Sequence, residues 1–223
     1  MTIALLHGFA GDVHAWDAVP IPGGRAIALP GHHAPIGDSW DANLARVADQ
    51  LDGTELVVGY SLGARIALGL VATGRCGRAV LIGVNPGLAD PAARAPRAAN
   101  DATWAAMLRT RGIDTFLVAW QAQPLFASQA RFPDRVAARH ARRLDLDPEL
   151  LARALETMGL AAMPDYRAAI DDRVELVAGT LDGKYLAIHA GLPARSHVIA
   201  DSGHDPTLEQ PAALAGLLAA LTR

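Results

Sequence analysis

Leu56-Val57-Val58-Gly59-Tyr60-Ser61-Leu62-Gly63-Ala64-Arg65 decides the reading of this chain. A β-branched aliphatic run ends in a G-x-S-x-G pentapeptide, and a helical pattern follows over 62–72. In a strand–turn–helix context this pattern forces a turn too tight for a side chain at either flanking glycine. It holds the serine in a strained backbone conformation with its hydroxyl above the strand ends. The backbone N–H of the next residue, Leu62, then aims at any oxyanion forming there, and the start of the helix adds positive potential.

Outward from this turn, short apolar runs alternate with helical patterns. The runs are Ile3–Leu6, Arg25–Leu29, Leu56–Val58, Ala79–Ile82, Val174–Val177 and His197–Ala200, each bounded by Gly, Pro, Asp or Asn. Near-continuous apolar strands separated by helices predict an α/β fold, a mostly parallel sheet covered on both faces. Helices are expected at Asp41–Leu51, Leu62–Ala72, Lys184–Ala190 and Glu209–Leu221. The last is amphipathic, with Pro211 in its first turn. The strand rhythm stops after Ile82. From about Pro91 to Arg167 the pattern is helical, broken by Gly112, Pro124, Pro133, Pro148, Gly159 and Pro164. The expected organisation is a core of residues 1–87 and 168–223 with a helical cap, 88–167, inserted between two strands.

A serine hydroxyl needs a base, and the base needs a carboxylate to orient it. Asp182 follows the run Val174–Val177, and His204 follows the run His197–Ala200. Both therefore fall at carboxyl ends of strands, where open parallel sheets place their sites. Asp201 and Asp205 are too near His204 in sequence to orient it, and Asp171 and Asp172 precede their strand. Seven of the eight histidines are assigned other places. His197 reads as structural, His140 and His189 as helix-surface residues, and His32 and His33 as loop residues, open to ligand contact but more simply solvent-exposed. His7-Gly8-Phe9 follows the first strand, so the Phe9 N–H is the expected second oxyanion donor and His7 a hydrogen-bonding residue of that turn.

The 223 residues, 51% hydrophobic and 19% charged, suffice for one domain with a sizeable core. They exclude a disordered tail, a collagen-like fibre and a disulfide-stapled mini-protein. A single cysteine, Cys76, permits no internal disulfide, and the first residues do not have the form of a signal peptide. A cytoplasmic location is therefore expected, without membrane insertion. A net charge of −3 gives no reason to expect nucleic acid. The histidines have no carboxylate or cysteine at ligand spacing, so neither a metal nor another cofactor is expected. The segment Pro91–Arg167 holds 11 Arg against 8 Asp+Glu, whereas the remainder holds 9 basic and 15 acidic residues. Lys184 is the only lysine. The middle of the chain is thus locally basic, and the Arg/Lys imbalance itself reads mainly as coding composition. The oligomeric state is left open.

These motifs resemble the α/β-hydrolase superfamily. More narrowly, nearly the whole chain looks like the 2-succinyl-6-hydroxy-2,4-cyclohexadiene-1-carboxylate synthases of menaquinone biosynthesis. The resemblance rests on Leu6-His7-Gly8-Phe9, Gly11-Asp12 and Trp16, then Leu29-Pro30-Gly31-His32. It continues through Gly59 to Arg65, Pro86-Gly87-Leu88, Trp120-Gln121-Ala122-Gln123-Pro124-Leu125-Phe126, Asp182-Gly183-Lys184-Tyr185, Gly203-His204 and Glu209-Gln210-Pro211. It implies a carbon–oxygen lyase that expels pyruvate from 2-succinyl-5-enolpyruvyl-6-hydroxy-3-cyclohexene-1-carboxylate, with Ser61, His204 and Asp182 as a base relay. A carboxylesterase or thioesterase acting through an acyl-serine is the alternative. The implied substrate carries three carboxylates, and family matching assigns them Arg65, Arg97 and Arg139, with Arg142 and Arg143 competing for the third place. Tyr60 and Trp120 are expected to wall the pocket. Three departures from the family pattern are present. The chain enters directly at the strand before the oxyanion loop, His33-Ala34-Pro35 replaces the usual sequence after His32, and Asp205-Pro206-Thr207 follows the catalytic histidine.

Overall fold

The computed structural model describes residues 1–222. Six strands form one sheet in the order β2-β1-β3-β4-β5-β6, with every neighbouring pair parallel. They are β1 (Ile3–Leu6), β2 (Gly24–Ile27), β3 (Leu56–Tyr60), β4 (Ala79–Ile82), β5 (Val174–Gly179) and β6 (Arg195–Ile199). Alternate residues serve opposite faces, as strand geometry requires. Ala4, Leu6, Val57 and Leu81 join a core beneath α1 (Trp40–Ala48) and α2 (Leu62–Ala72). Ile3, Leu5, Leu56, Val58, Val80 and Ile82 join a second core with Trp16 and with Leu214 and Leu218 of α8 (Pro211–Leu221).

The strand order reverses beside β1, because β2 lies on one side of it and β3 on the other. In open parallel sheets the crevice beyond the carboxyl ends at such a reversal is the usual ligand site. Here those ends lead into His7-Gly8-Phe9 and into Ser61.

Between β4 and β5 the chain leaves the sheet for α3 (Arg94–Gln121), α4 (Pro133–Arg143) and α5 (Pro148–Met158), with a 3-10 segment, Pro124–Arg131, joining the first two. The punctuating residues have visible work. Gly112, at φ 74°, kinks α3, and Pro133 and Pro148 start α4 and α5, where a missing N–H costs nothing. Ala105, Leu108, Phe116, Leu151 and Leu155 build a third core, against which Phe9 of the β1 loop packs. Among the described residues no helix is long and apolar enough to cross a membrane.

Element boundaries differ from expectation for local reasons. β6 begins at Arg195 rather than His197, because it is an edge strand whose first residues are exposed and carry no apolar signal. The final helix is divided into α7 (Pro206–Glu209) and α8, with Gln210 at φ −137°, ψ 57° between them. Pro211 disfavours helical backbone in the residue before it. The sixth helix, α6 (Gly183–His189), begins directly after Asp182.

Candidate active site

Ser61 sits at φ 52°, ψ −105° between β3 and α2. Such backbone costs about 1–3 kcal/mol and persists only where the surroundings impose it. They do so here. A Cβ on Gly59 would lie 2.3 Å from the Gly63 carbonyl oxygen, and one on Gly63 would lie 2.2 Å from that of Leu6. The elbow is thus pressed against β1, which brings the serine beside the oxyanion loop.

His204 Nδ1 donates to Asp182 Oδ2 at 2.8 Å, and His204 Nε2 lies 3.1 Å from Ser61 Oγ. A carboxylate at Nδ1 fixes that nitrogen as the protonated one, leaving Nε2 to accept the serine proton. His204 and Asp182 are both buried. Asp182 caps α6, its Oδ1 accepting from the Tyr185 N–H at 3.3 Å. The Tyr185 ring packs on His204 at 4.5 Å between centroids, and Tyr60 and Phe126 flank the imidazole at 5.4 and 6.2 Å. Gly83 leaves room for it, since a Cβ there would lie 2.7 Å from His204 Cε1.

The backbone N–H groups of Phe9 and Leu62 make no hydrogen bond among the described residues. Both residues line a cleft of about 240 Å³ that also exposes Ser61. Two preorganised donors beside a serine–imidazole–carboxylate chain can stabilise an oxyanion or an enolate, and the serine can act as nucleophile or as base.

Arg65, Arg97, Lys184, Trp104 and Trp120 also line the cleft. Arg65 Nη1 donates to the Met158 carbonyl at 2.7 Å, and burial with the nearby Arg97 charge lowers its pKa to about 10. Arg97 Nε donates to both oxygens of the buried Asp101 at 2.9 Å. Trp120 stands in an aromatic group with Phe9, Trp104 and Phe116.

Two residues expected to touch substrate are placed elsewhere. Tyr60 shares the strand face of Leu56 and Val58, so its ring joins the core behind the imidazole and does not line the cleft. Arg139 lies on the face of α4 that also carries Arg135, one turn earlier. This face grips the loop after β6: Arg139 pairs with Asp205 and donates to Thr207 Oγ1 at 3.3 Å, and Arg135 donates to the Leu208 carbonyl at 2.8 Å. Burial alone would raise the Asp205 carboxyl, but Arg139, the Thr207 hydroxyl and Arg143 together outweigh it and hold the group below the usual carboxylate range. Arg142 faces Asp12 at 3.6 Å, and Arg143 does not line the cleft either.

Two histidines, His32 and His189, also need correction, whereas His7 makes the turn hydrogen bonds expected of it. His32 is fully buried, its Nε2 accepting from the Ala10 N–H at 3.0 Å, and so props up the oxyanion loop. His189 is buried too, with Nε2 donating to the Val84 carbonyl at 3.2 Å. His7 accepts from the Leu29 N–H at 3.2 Å and donates to the Gly8 carbonyl at 2.8 Å. Burial lowers His7 to about 4 and His32 to about 3, so both are neutral near pH 7. Among the described residues no group of three or more His, Cys, Asp or Glu is placed to hold a metal ion. Lys184 and Asp101 are the site residues that sequence reasoning missed. The signal for Lys184 was its uniqueness in the chain and its place two residues after Asp182.

The profile of the Alpha/beta hydrolase family matches residues 3–217. The 2-succinyl-6-hydroxy-2,4-cyclohexadiene-1-carboxylate synthase of Enterobacter sp. (strain 638) is 36% identical over 242 residues, covering 99% of this chain and 91% of that protein. Its namesake in Escherichia coli O139:H28 (strain E24377A / ETEC) is 34% identical over 242 residues, covering 99% and 93%. Among solved structures, MenH from S. aureus superposes with a TM-score of 0.90 at 24% identity, covering 99% of this chain and 92% of that one. A thermophilic esterase from Thermogutta terrifontis, malate bound, superposes with a TM-score of 0.80 at 23% identity, covering 100% and 89%.

Proposed function

The chain belongs to the alpha/beta hydrolase family and, within it, to the 2-succinyl-6-hydroxy-2,4-cyclohexadiene-1-carboxylate synthases, and from that premise we propose how its residues work. It is a carbon–oxygen lyase of menaquinone biosynthesis. It eliminates pyruvate from 2-succinyl-5-enolpyruvyl-6-hydroxy-3-cyclohexene-1-carboxylate. In our reading Ser61, His204 and Asp182 form the base relay, and Phe9 and Leu62 supply the oxyanion donors. The observation that supports this is the hydrogen-bonded chain from Asp182 through His204 to Ser61, opening into a cleft that holds Arg65 and Arg97.

Ser61 Oγ takes the proton of the ring carbon next to the succinyl carbonyl while its own proton passes to His204 Nε2. Asp182 stabilises the imidazolium and keeps the ring oriented. The negative charge that develops on the carbonyl oxygen is met by the two backbone N–H groups, each typically worth about 2.7–4 kcal/mol. The electron pair then expels the enolpyruvyl oxygen. That leaving group recovers the proton from His204 and tautomerises to pyruvate. Arg65 and Arg97 hold substrate carboxylates, which fixes the acidic C–H over Ser61. No acyl-enzyme forms. Residues 88–167 act as a cap over the cleft, with Trp120 among its walls. The enzyme works in the cytoplasm on a small anionic substrate and needs no cofactor.

The test offers the enolpyruvyl substrate and p-nitrophenyl acetate side by side to the wild type and to Ser61→Ala. Pyruvate release by the wild type, little ester cleavage, and loss of nearly all turnover in Ser61→Ala are expected. Rapid ester cleavage with no pyruvate would instead assign an acyl-serine hydrolase. Undiminished turnover in Ser61→Ala would refute the relay.

A further inference from the structure

The substrate of the proposed reaction brings three carboxylates, yet among the described residues only two arginines line the cleft. Arg139 does not line the cleft and cannot supply a third cation while it is buried against Asp205 and Thr207. The two arginines that are present are themselves partly committed. Arg65 is tied to the Met158 carbonyl, and Arg97 shares the cleft with the buried carboxylate of Asp101. With Asp101 counted, Arg65 and Arg97 leave the cleft only one positive charge to set against three negative ones. Lys184 lines the same cleft and raises that balance to two.

We infer that Lys184 is the third carboxylate-binding residue of the cleft and a determinant of specificity for polyanionic substrate. This rests on the lyase reading above. Three features of the side chain support it. Lys184 is exposed, on the first turn of α6, so its ammonium stands where the cleft meets solvent. Among the described residues it makes no hydrogen bond and no ion pair, unlike both arginines of the cleft. Its Nζ lies 5.4 Å from the centroid of the Tyr185 ring, and that ring packs on His204. The charge thus sits against the ring that packs on the imidazole and has no ion-pair partner among the described residues. A strongly hydrated ammonium on a flexible stem suits a carboxylate that arrives at the mouth of the cleft, while the planar guanidiniums of Arg65 and Arg97 suit those bound deeper.

Substrate contact at an exposed position adds to ground-state and transition-state binding alike, so KM should move and kcat should not. In the full-length protein, Lys184→Gln should raise KM for the enolpyruvyl substrate roughly three- to tenfold with kcat within about twofold, as for a partly solvated ion pair. Lys184→Arg should restore KM. Because the chain has a single lysine, acetylation of its side chain can be followed by mass spectrometry with the α-amino group as internal reference. Substrate bound to Ser61→Ala should slow that acetylation. Wild-type protein that releases no pyruvate would overturn the lyase reading and this role with it. Pyruvate release with an unchanged KM in Lys184→Gln, or acetylation at the same rate with and without substrate, would overturn the inference alone.

Discussion

Arg139→Met separates a structural clamp from a substrate ligand. Asp205 is 1% exposed and keeps two other partners when Arg139 is removed, the Thr207 hydroxyl at 2.5 Å and the Leu208 N–H at 3.3 Å. Breaking one side of a buried ion pair costs about 3–5 kcal/mol, because a charge is left unpaired in a medium that solvates it poorly. The two remaining hydrogen bonds place Asp205 near the lower figure, about 3 kcal/mol. With a urea slope of about 2–3 kcal/mol/M, the unfolding midpoint should fall by about 1–1.5 M. Four tryptophans, two of them in the sheet-facing cores and two in the helical insertion, report the transition by fluorescence. Asp205 directly follows His204, so a loosened loop should lower kcat while KM stays near the wild-type value. Adding Asp205→Asn removes the stranded charge and should recover most of the midpoint, a coupling that a double-mutant cycle measures directly. A single variant that keeps the wild-type midpoint but raises KM for the polycarboxylate substrate would refute the clamp and return Arg139 to the binding site.

Arg97 should prove to be a binding residue instead. In Arg97→Gln combined with Asp101→Asn, which avoids stranding the buried carboxylate, KM for the three-carboxylate substrate should rise about tenfold or more while p-nitrophenyl acetate cleavage is unchanged. Equal losses on both substrates would count against an anionic cleft. Acid should destabilise the fold through His7 and His32. Their folded pKa values, about 4 and about 3, lie below the ordinary 6.5, so the unfolded chain takes up protons first and stability falls as pH drops below about 6.5. At pH 5 each costs about 2 kcal/mol relative to pH 7.5, about 4 kcal/mol together, and urea titrations at the two pH values test it. A flat profile would mean that one or both rings leave the interior or are already charged.

What could be read from the chain, and what could not, follows from the range of the interactions involved. The elbow is local: Gly59, Ser61 and Gly63 lie within five residues, and the clashes that demand glycine arise wherever a strand turns this sharply into a helix. Asp182 and His204 are distant in sequence, but each follows an apolar run, and parallel strands in one sheet deliver all their carboxyl ends to the same edge. The three converge because of topology, which alternation of strands and helices already encodes. The arginines have no such constraint. Whether a guanidinium on a helix meets substrate or the neighbouring loop depends on how the helix is rotated about its axis, which tertiary packing alone decides. On α4 the face bearing Arg135 and Arg139 turned toward the loop of Asp205, whose carboxylate is a permanent partner and competes at every moment with any transient one. Histidine burial was illegible for the same reason. The partners of His32 and His189 are the backbone groups of Ala10 and Val84, and every residue type carries those groups, so no residue choice advertises the contact. Lys184 escaped notice because an exposed lysine on a first helical turn looks like any solvated charge. The shape of the cleft sets it apart, because Lys184 lines the same cavity as Ser61, Arg65 and Arg97.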